Sequence, residues 1–291
     1  MLYARWLIPG KCREVPRYTR IGLYLSGFVV CVVVLLGVVS PFVSYVPEDH
    51  VTPNAKFLGP SMEHILGTDS LGRDVAIRIL KGTEAFFFPG LFAALIAVML
   101  GGVGGAFAGY SQGVIRSGVM GLIQLFDTLP RLVFIILVCS VFEPTIYLIA
   151  VVTGVLFAPA IATIIRERVE ALASEDYILA HVAHGFRPLR ILLYHILWLQ
   201  CRSVLVRQAA FVFCYVLFIE TALSYLGHYG VQEPMPSWGN MIAQGNLSIH
   251  DGPNTPDPWH WMSPALAIVF TISGFLSFGN LLAQSDEEDV R

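Results

Sequence analysis

Six long runs of apolar residues alternate along the chain with shorter segments that are rich in charged residues, proline and glycine. The runs cover 21–43, 85–109, 119–142, 145–165, 204–226 and 261–283. Each has about 20 residues or more, the length that a helix needs to cross the hydrocarbon layer of a membrane. The pattern therefore predicts an all-α polytopic membrane protein with six transmembrane helices.

Composition supports this class and excludes others. Of the 291 residues, 55% are hydrophobic and 13% are charged, and the mean hydropathy is +0.67. A soluble core of this size cannot bury so much apolar surface. The formal net charge of −3 gives no electrostatic basis for binding nucleic acid. The five cysteines are scattered, mostly within apolar runs, which is typical of packing residues rather than of a disulfide framework or a metal cluster.

The first apolar run is predicted to be a retained transmembrane helix. It follows Arg13, Arg17 and Arg20, and so has the charged flank of a signal peptide. It is too long for the apolar core of a signal peptide, however, and no small-x-small cleavage site accompanies it.

Lysine and arginine indicate the orientation of the spans. They are concentrated in segments 1–20 and 166–203 and are absent from 227–260. Because basic residues collect on the cytoplasmic side, both termini are predicted to be cytoplasmic and 227–260 to face outward. The predicted order is a cytoplasmic segment 1–20, a first transmembrane helix 21–43, an outer loop 44–84, a five-helix core 85–283 with a cytoplasmic loop 166–203 and an outer loop 227–260, and an acidic cytoplasmic tail 284–291.

The third apolar run contains Asp127, Pro130 and Arg131. An unpaired charge at the centre of a bilayer costs roughly 2.5 kcal/mol or more, and proline removes a backbone donor. Either the span begins near Pro130 or its helix breaks there. Asp127 and Arg131 are four residues apart and can pair on one helix face. They form either a structural pair at the cytoplasmic end or a functional group within the membrane.

The outer loop 44–84 contains the sequence G-T-D-S-L-G-R-D, which begins at residue 67. Its glycines suit turns, and Thr68 or Asp69 is predicted to cap a short helix that starts near Ser70. The candidate residues of this motif are Gly67, Thr68, Asp69, Gly72, Arg73 and Asp74.

A second motif runs from Glu220 to Ile242 and reads E-T-A-L-S-Y-L-G-H-Y-G-V-Q-E-P-M-P-S-W-G-N-M-I. This segment resembles the C-type permease subunit of bacterial ABC importers of the dipeptide, oligopeptide and nickel class. The order of the first motif, between the first and second spans, resembles the G-T-D-x-x-G-R-D signature of the same class. The resemblance implies the type I ABC importer permease fold, located in the bacterial cytoplasmic (inner) membrane.

Within this second motif, an acidic residue inside a predicted span is expected to face a cavity or a partner group. Glu220 coincides with the glutamate of the E-A-A-L-S-F-L-G stretch in the resembled family. It either anchors the turn that leads to Trp238 and Gly239 or lines the substrate path, and we favour the anchor.

The segment 175–198 is predicted to couple the chain to an ATPase. In the resembled family, an E-A-A-x-x-x-G signature forms a short helix that docks into a groove of the ATPase. Aligned on Gly185, its first three positions are Leu179, Ala180 and His181, so the glutamate is absent. Trp198 stands where the family has the proline of H-I-L-P.

Three further side chains of this segment are candidates for the contact with the ATPase. Phe186 is predicted to be an apolar anchor in a pocket of the ATPase. Arg187 and Arg190 either contact acidic residues of that partner or serve as positive-inside anchors.

The resemblance also implies the partners and the cofactors. They are a second, related permease subunit, two cytoplasmic ATPases and an external solute-binding protein. The chain itself has no G-x-x-x-x-G-K-[ST] phosphate loop, so we predict that it is not an enzyme and that ATP and Mg bind to the partner ATPases. The implied function is that of a permease subunit that forms half of a translocation pathway for peptides or a similar small solute.

Two other functions remain open from the residues alone. A secondary transporter driven by an ion gradient also contains buried acids, but it is expected to show an inverted repeat, and we find none. An intramembrane enzyme would use Asp127, Glu220 or the pair His181 and His184, which lie in three separate segments. A metal site at the histidine pair has no third ligand nearby in the sequence.

Overall fold

The computed structural model describes residues 17–45, 56–111, 114–227, 229–231, 234–249 and 258–290. In these ranges the chain forms α-helices, two 3-10 helices, Ser40–Phe42 and Thr83–Ala85, and one π-helix, Ile191–Trp198. These ranges contain no β-strand, as the all-α prediction requires. The α-helices in chain order are α1 (Arg17–Val39), α2 (Val75–Gly82), α3 (Phe87–Tyr110), α4 (Val114–Asp127), α5 (Arg131–Val141), α6 (Ile146–Ala173), α7 (Asp176–Ala183), α8 (Pro188–Arg190), α9 (Arg202–Leu226), α10 (Trp238–Ile249) and α11 (Trp259–Val290).

Five helical segments of the described chain are long and apolar enough to cross a membrane. They are 21–42, 75–110, 146–173, 202–226 and 259–284, and they contain or nearly coincide with five of the six predicted spans. The predicted span 119–142 is instead divided between α4 and α5, whose axes differ by 80°. The total is six if this bent pair forms one span. The break falls at residues 128–130, where Pro130 lacks a backbone donor.

Two helices continue beyond the apolar runs that predicted them. α6 ends at Ala173 rather than at 165, so the first part of the predicted loop 166–203 is helical. Glu170 stabilises these charged turns, because it pairs with Arg166 at 3.4 Å and with Arg116 of α4 at 2.7 Å. α11 similarly continues to Val290, through most of the predicted tail 284–291. Residues 1–16 of the predicted segment 1–20 lie outside the described residues.

Helices α3 and α6 pack with their backbones in close contact. An ideal Cβ added at Gly101 would lie 2.5 Å from the backbone oxygen of Ala158. One added at Gly105 would lie 2.4 Å from that of Ala162, and one added at Gly109 would lie 2.7 Å from that of Arg166. A side chain at any of these positions would therefore clash with α6. Because these glycines are four residues apart, they lie on one face of α3 and allow the two backbones to approach closely.

Helix α9 connects the separate regions of the apolar core. It contributes Val212 to a cluster with α3, α6 and the buried side of the π-helix. It contributes Phe213 to a cluster with Phe86 and Trp238, and Leu223 to a third cluster with α5 and α6. The 25 residues of α9 give about 37 Å of helical rise between the π-helix at one end and α10 at the other.

Candidate functional sites

The G-T-D-S-L-G-R-D motif folds into a hydrogen-bonded turn ahead of α2. Gly67 and Gly72 have φ angles of +75° and +80°, a left-handed conformation that glycine adopts without steric cost. An ideal Cβ at Gly67 would also lie 2.4 Å from the Leu58 carbonyl oxygen. Thr68 Oγ1 accepts a hydrogen bond of 2.8 Å from the Leu58 N–H. The glycines therefore form the turns that the sequence predicts.

Asp69 lies at the centre of a buried charged cluster. One carboxylate oxygen accepts hydrogen bonds from the Leu71 and Arg73 N–H groups, both at 2.9 Å. The other accepts from Arg73 Nε at 2.7 Å and from Arg78 Nη1. All three charged side chains are buried. Burial alone would raise the pKa of Asp69, but the charge of Arg78 and the hydrogen bonds and charge of Arg73 outweigh it and lower the pKa.

The predicted cap of the outer helix was wrong. Helix α2 begins at Val75 rather than near Ser70, and its N-cap is Asp74, whose Oδ1 accepts from the Ala76 and Ile77 N–H groups at 2.8 and 3.1 Å. Both carboxylate oxygens of Asp69 already accept hydrogen bonds from the arginines and the turn, so Asp74, the next carboxylate along the chain, caps the helix. Asp74 Oδ2 also lies 2.9 Å from His64 Nδ1.

Helix α10 attaches to this motif through two side chains. Gln244 Oε1 accepts hydrogen bonds from Arg73 Nη2 at 3.2 Å and from Arg78 Nη1 at 2.9 Å. Trp238 Nε1 donates to the Ile79 carbonyl at 2.9 Å. The two predicted outer loops are therefore joined into one unit. The sequence alone does not identify Gln244, because its role depends on which residues α10 faces.

Glu220 is buried near the end of α9. Its Oε1 accepts a hydrogen bond of 2.6 Å from Ser224 Oγ, and the Ser237 side chain is a second hydrogen-bonding neighbour. Ser224 Oγ also accepts a 2.9 Å hydrogen bond from the Val231 N–H. The other carboxylate oxygen has no hydrogen-bond partner among the described residues. Glu220 thus contacts both ends of the turn between α9 and α10.

Gly239 brings α10 directly against α9. An ideal Cβ at Gly239 would lie 2.4 Å from the Thr221 carbonyl oxygen, so a side chain there would force the helices apart. The indole of Trp238 is buried and lies edge to face against Phe86, with ring centroids 4.7 Å apart. The Trp-Gly pair therefore fixes α10 between α9 and the start of α3.

Asp127 and Arg131 pair across the break between α4 and α5, with Nη2 and Oδ1 3.0 Å apart. Asp127 is 51% exposed and Arg131 is 28% exposed. The Arg131 guanidinium also lies 4.3 Å from the centre of the Phe157 ring of α6. The pair joins two helices rather than lying on one helix face, and it holds the bent segment against α6.

The predicted coupling segment contains a helix, a glycine turn and a second helical segment. Ala180 and His181 lie on α7, as does the backbone of Leu179, whose side chain is outside the described part of the structure. Gly185 has a φ of +76° and open space around it. It reverses the chain toward Phe186 and Arg187, which are both exposed.

An open groove of about 690 Å³ runs along this turn and is lined by residues between His184 and Leu193. Its sides carry the Arg187 and Arg190 guanidinium groups and the apolar side chains of Phe186 and Leu193. This surface can accept a partner that is both apolar and acidic. His181 and His184 do not converge, because each Nδ1 lies 2.6 Å from the carbonyl oxygen four residues before it. His181 instead faces His195 of the π-helix.

The structure brings the candidate residues together in two groups and leaves one pair apart. The outer motif, Trp238, Gly239 and Glu220 meet around α10, whereas the coupling segment lies at the opposite end of α9. Asp127 and Arg131 belong to neither group. No cluster of three or more possible metal ligands occurs within the described residues.

This architecture is that of a multi-pass helical membrane protein, as in a transport permease. One central helix, α9, connects the exposed segment around Phe186 with the hydrogen-bonded unit formed by residues 67–82 and α10, here called the outer unit after its predicted side. The chain belongs to the family of binding-protein-dependent transport system inner membrane components, whose family model matches residues 101–285.

Relatives match most of the chain. The dipeptide transport system permease protein DppC of Bacillus subtilis is 31% identical over 264 residues, covering 91% of this chain and 81% of that protein. DppC of Alkalihalophilus pseudofirmus is 28% identical over 247 residues, covering 85% and 79%. The oligopeptide transport system permease protein OppC of B. subtilis is 29% identical over 272 residues, covering 92% and 86%.

Proposed function

We propose that this chain is the C-type permease subunit of an ATP-driven peptide importer and forms half of its translocation pathway. The observation that carries the proposal is the extent of similarity to relatives named for dipeptide and oligopeptide transport, which reaches 91% and 92% of this chain. The membrane is the bacterial cytoplasmic membrane, with both termini on the cytoplasmic side, as the distribution of arginine and lysine indicates.

Two cytoplasmic ATPases would bind ATP and Mg, and one of them would dock on the coupling segment of this chain. Phe186 and Leu189 are exposed there, beside the guanidinium groups of Arg187 and Arg190. An aromatic side chain surrounded by arginines is typical of the energetic centre of a protein interface. The missing glutamate at Leu179 does not remove this surface, because its apolar and basic groups come from the turn after Gly185.

A second permease subunit would pack against the exposed face of α9. Phe211, Phe218 and Tyr225 follow one another at seven-residue intervals and are each exposed by more than two fifths. Side chains at this spacing lie along one stripe, which fits a neighbouring helix that crosses at a small angle.

Motion at the docking loop would reach the outer unit through α9. The π-helix packs on the core cluster that contains Val212, while the end of α9 holds Glu220 and Gly239 of the outer unit. In this mechanism Glu220 is an anchor for the turn into α10, since Ser224 connects it to Val231. A solute-binding protein would deliver the peptide to the outer side.

The test is ATP hydrolysis by the assembled transporter in lipid, with wild type, Gly185→Asp and Gly227→Asp. Both glycines have nearly the same φ, +76° and +77°, and both have open space around them, so the two changes impose similar backbone strain. We expect Gly185→Asp to lose coupled hydrolysis and Gly227→Asp, at the far end of α9, to retain most of it. Equal loss in both variants, or failure of the wild-type chain to bind any ATPase, would contradict the proposal.

A further inference from the structure

Two histidines of the coupling segment lie against each other. His181 on α7 and His195 on the π-helix have ring centroids 4.4 Å apart, with their planes inclined by 46°. His195 belongs to the H-I-L-W sequence, whereas His181 occupies a position at which the resembled family has alanine. The contact therefore depends on a side chain that departs from the family signature.

Phe186 completes this histidine cluster. Its ring centroid lies 5.2 Å from that of His181 and 5.9 Å from that of His195. The guanidinium carbon of Arg190 lies 5.7 Å from the centre of the same ring. The two imidazoles and Arg190 thus hold the side chain that is proposed to anchor the ATPase.

The arrangement favours a neutral His195 imidazole. A hydrogen bond of 2.6 Å from His181 Nδ1 to the Tyr177 carbonyl oxygen fixes the orientation of the ring that His195 contacts. His195 Nε2 is buried and has no hydrogen-bond partner among the described residues, so a proton there would have no acceptor. Burial, followed by the charges of His181 and Arg190, lowers the pKa of His195.

The groups that face the pair come from several elements. Within the described residues, the charges that act on His195 are those of His181 from α7 and Arg190 from α8. The phenol of Tyr194 is its neighbour on the π-helix, and that of Tyr177 lies beside His181 on α7. Glu175, the N-cap of α7, and Arg168 of α6 both act on Tyr177, and Arg168 also acts on Cys201. Among the described residues, Glu175 is not one of the charged groups that act directly on His195.

We propose that the contact between His181 and His195 makes coupling to the ATPase sensitive to cytoplasmic pH. This inference rests on the proposed function and adds regulation to the same site. Protonation of one ring places a positive charge against the other ring and near Arg190, which separates the pair and releases Phe186 from its position. Docking of the ATPase then weakens as the cytoplasm becomes more acidic.

The direction follows from proton linkage. The released arrangement, in which His195 is solvated, binds protons more readily than the arrangement in which the two rings are in contact. The contact is therefore most favoured above the ordinary histidine pKa and becomes less favoured as the pH falls below it toward the lowered pKa of His195. At about pH 6, with an ordinary pKa of about 6.5, the ratio of released to contacting forms rises by up to about fourfold.

The first test uses the full chain alone in lipid nanodiscs and follows the titration of His195 by NMR. Wild type is compared with His181→Ala, which removes the contact between the two rings, and with His184→Ala. His184 is a matched control, because its Nδ1 makes the same contact with the carbonyl four residues before it but its ring is exposed. We expect His195 to titrate at lower pH in wild type and His184→Ala than in His181→Ala. The same titration in all three proteins would overturn the inference.

The second test measures ATP hydrolysis by the assembled transporter at about pH 7.5 and about pH 6, with each variant normalised to its own rate at the higher pH. The pH dependence of the ATPase itself is common to all variants. We expect wild type and His184→Ala to fall further than His181→Ala, by up to about fourfold. Identical pH profiles of ATP hydrolysis in the three proteins would overturn the proposed pH regulation, even if the chain couples to the ATPase. Failure to bind an ATPase at either pH would instead contradict the proposed function, and it leaves the titration of the isolated chain as a separate result.

Discussion

Asp69 accepts hydrogen bonds from two buried arginines and two backbone N–H groups within the outer unit. Loss of one member of a buried ion cluster costs about 3–5 kcal/mol, because the remaining charges stay buried. We expect Asp69→Asn to lower the free energy of unfolding in detergent by this amount. The matched control is Asp127→Asn, which removes an exposed partner of Arg131 and is expected to cost less than about 1 kcal/mol. Equal effects would contradict the assigned role of the buried cluster.

The same residue predicts a response to acid. Because the pKa of Asp69 is lowered in the fold, its carboxylate contributes stability that is fully present above the ordinary value of 3.8 and is lost as the pH falls below it toward the folded pKa. Unfolding measured from about pH 5 to about pH 3 should therefore show an acid-dependent loss in wild type that is smaller in Asp69→Asn. A wild type and variant with parallel curves would exclude Asp69 as the titrating group.

Gln244 is the residue through which α10 binds both arginines. Gln244→Leu removes the acceptor and is expected to destabilise the protein by about 1–3 kcal/mol. Gln244→Glu keeps an acceptor oxygen at a site with two arginines, so it should retain stability. Denaturant unfolding of both variants checks this pair. If leucine and glutamate behaved alike, the hydrogen bonds would not be what joins the two outer loops.

At the scale of elements, the contact between α3 and α6 limits the size of the residues on the contacting face of α3. An ideal Cβ at Gly105 would lie 2.4 Å from the Ala162 oxygen, whereas one at Gly104 has nothing within 4 Å. We expect Gly105→Ala to destabilise the protein by about 1–3 kcal/mol through overpacking. Gly104→Ala should be neutral or stabilising by up to about 1 kcal/mol, since alanine favours helix. Thermal unfolding of the two variants measures the difference, and a comparable loss at Gly104 would show that helix contact is not the cause.

Hydrophobic length and periodicity predict the membrane-length helices, because about 20 apolar residues have few other stable arrangements in a bilayer. Pro130 favours either a break or a later start of the third span, and the structure has the break. Helix α10 was not predictable, because its residues follow Pro234 and Pro236 in a segment whose sequence is that of a loop. The predicted start of α2 is too early, since Asp69 and Asp74 are both good caps and only the positions of the arginines decide between them.

Candidate site residues were predictable where they lie together in a continuous motif, as in the outer motif and the segment after Glu220. The partners of those residues were not predictable. The contacts of Gln244 with Arg78 and of Ile79 with Trp238 can be identified only when α10 is placed against α2. The contact of His181 with His195 likewise needs the geometry of the π-helix, since an apolar run such as 191–198 does not distinguish it from an ordinary helix.

At the scale of the whole molecule, the two candidate regions lie at opposite ends of α9 and share apolar clusters with it. A continuous helix between the proposed docking surface and the hydrogen-bonded outer unit is suited to transmit movement from one to the other. The exposed faces at Phe186 and along the Phe211 stripe are the surfaces at which the partner subunits are proposed to bind.

We propose that this chain forms part of the path by which ATP hydrolysis moves a peptide across the membrane. The most direct measurement is uptake of a labelled dipeptide into proteoliposomes that contain this chain, its partner permease, the ATPases and the solute-binding protein. We expect uptake that requires ATP on the side of the ATPases and is lost when this chain is omitted. Uptake that persists without the chain, or that is driven by an ion gradient in the absence of ATP, would contradict it.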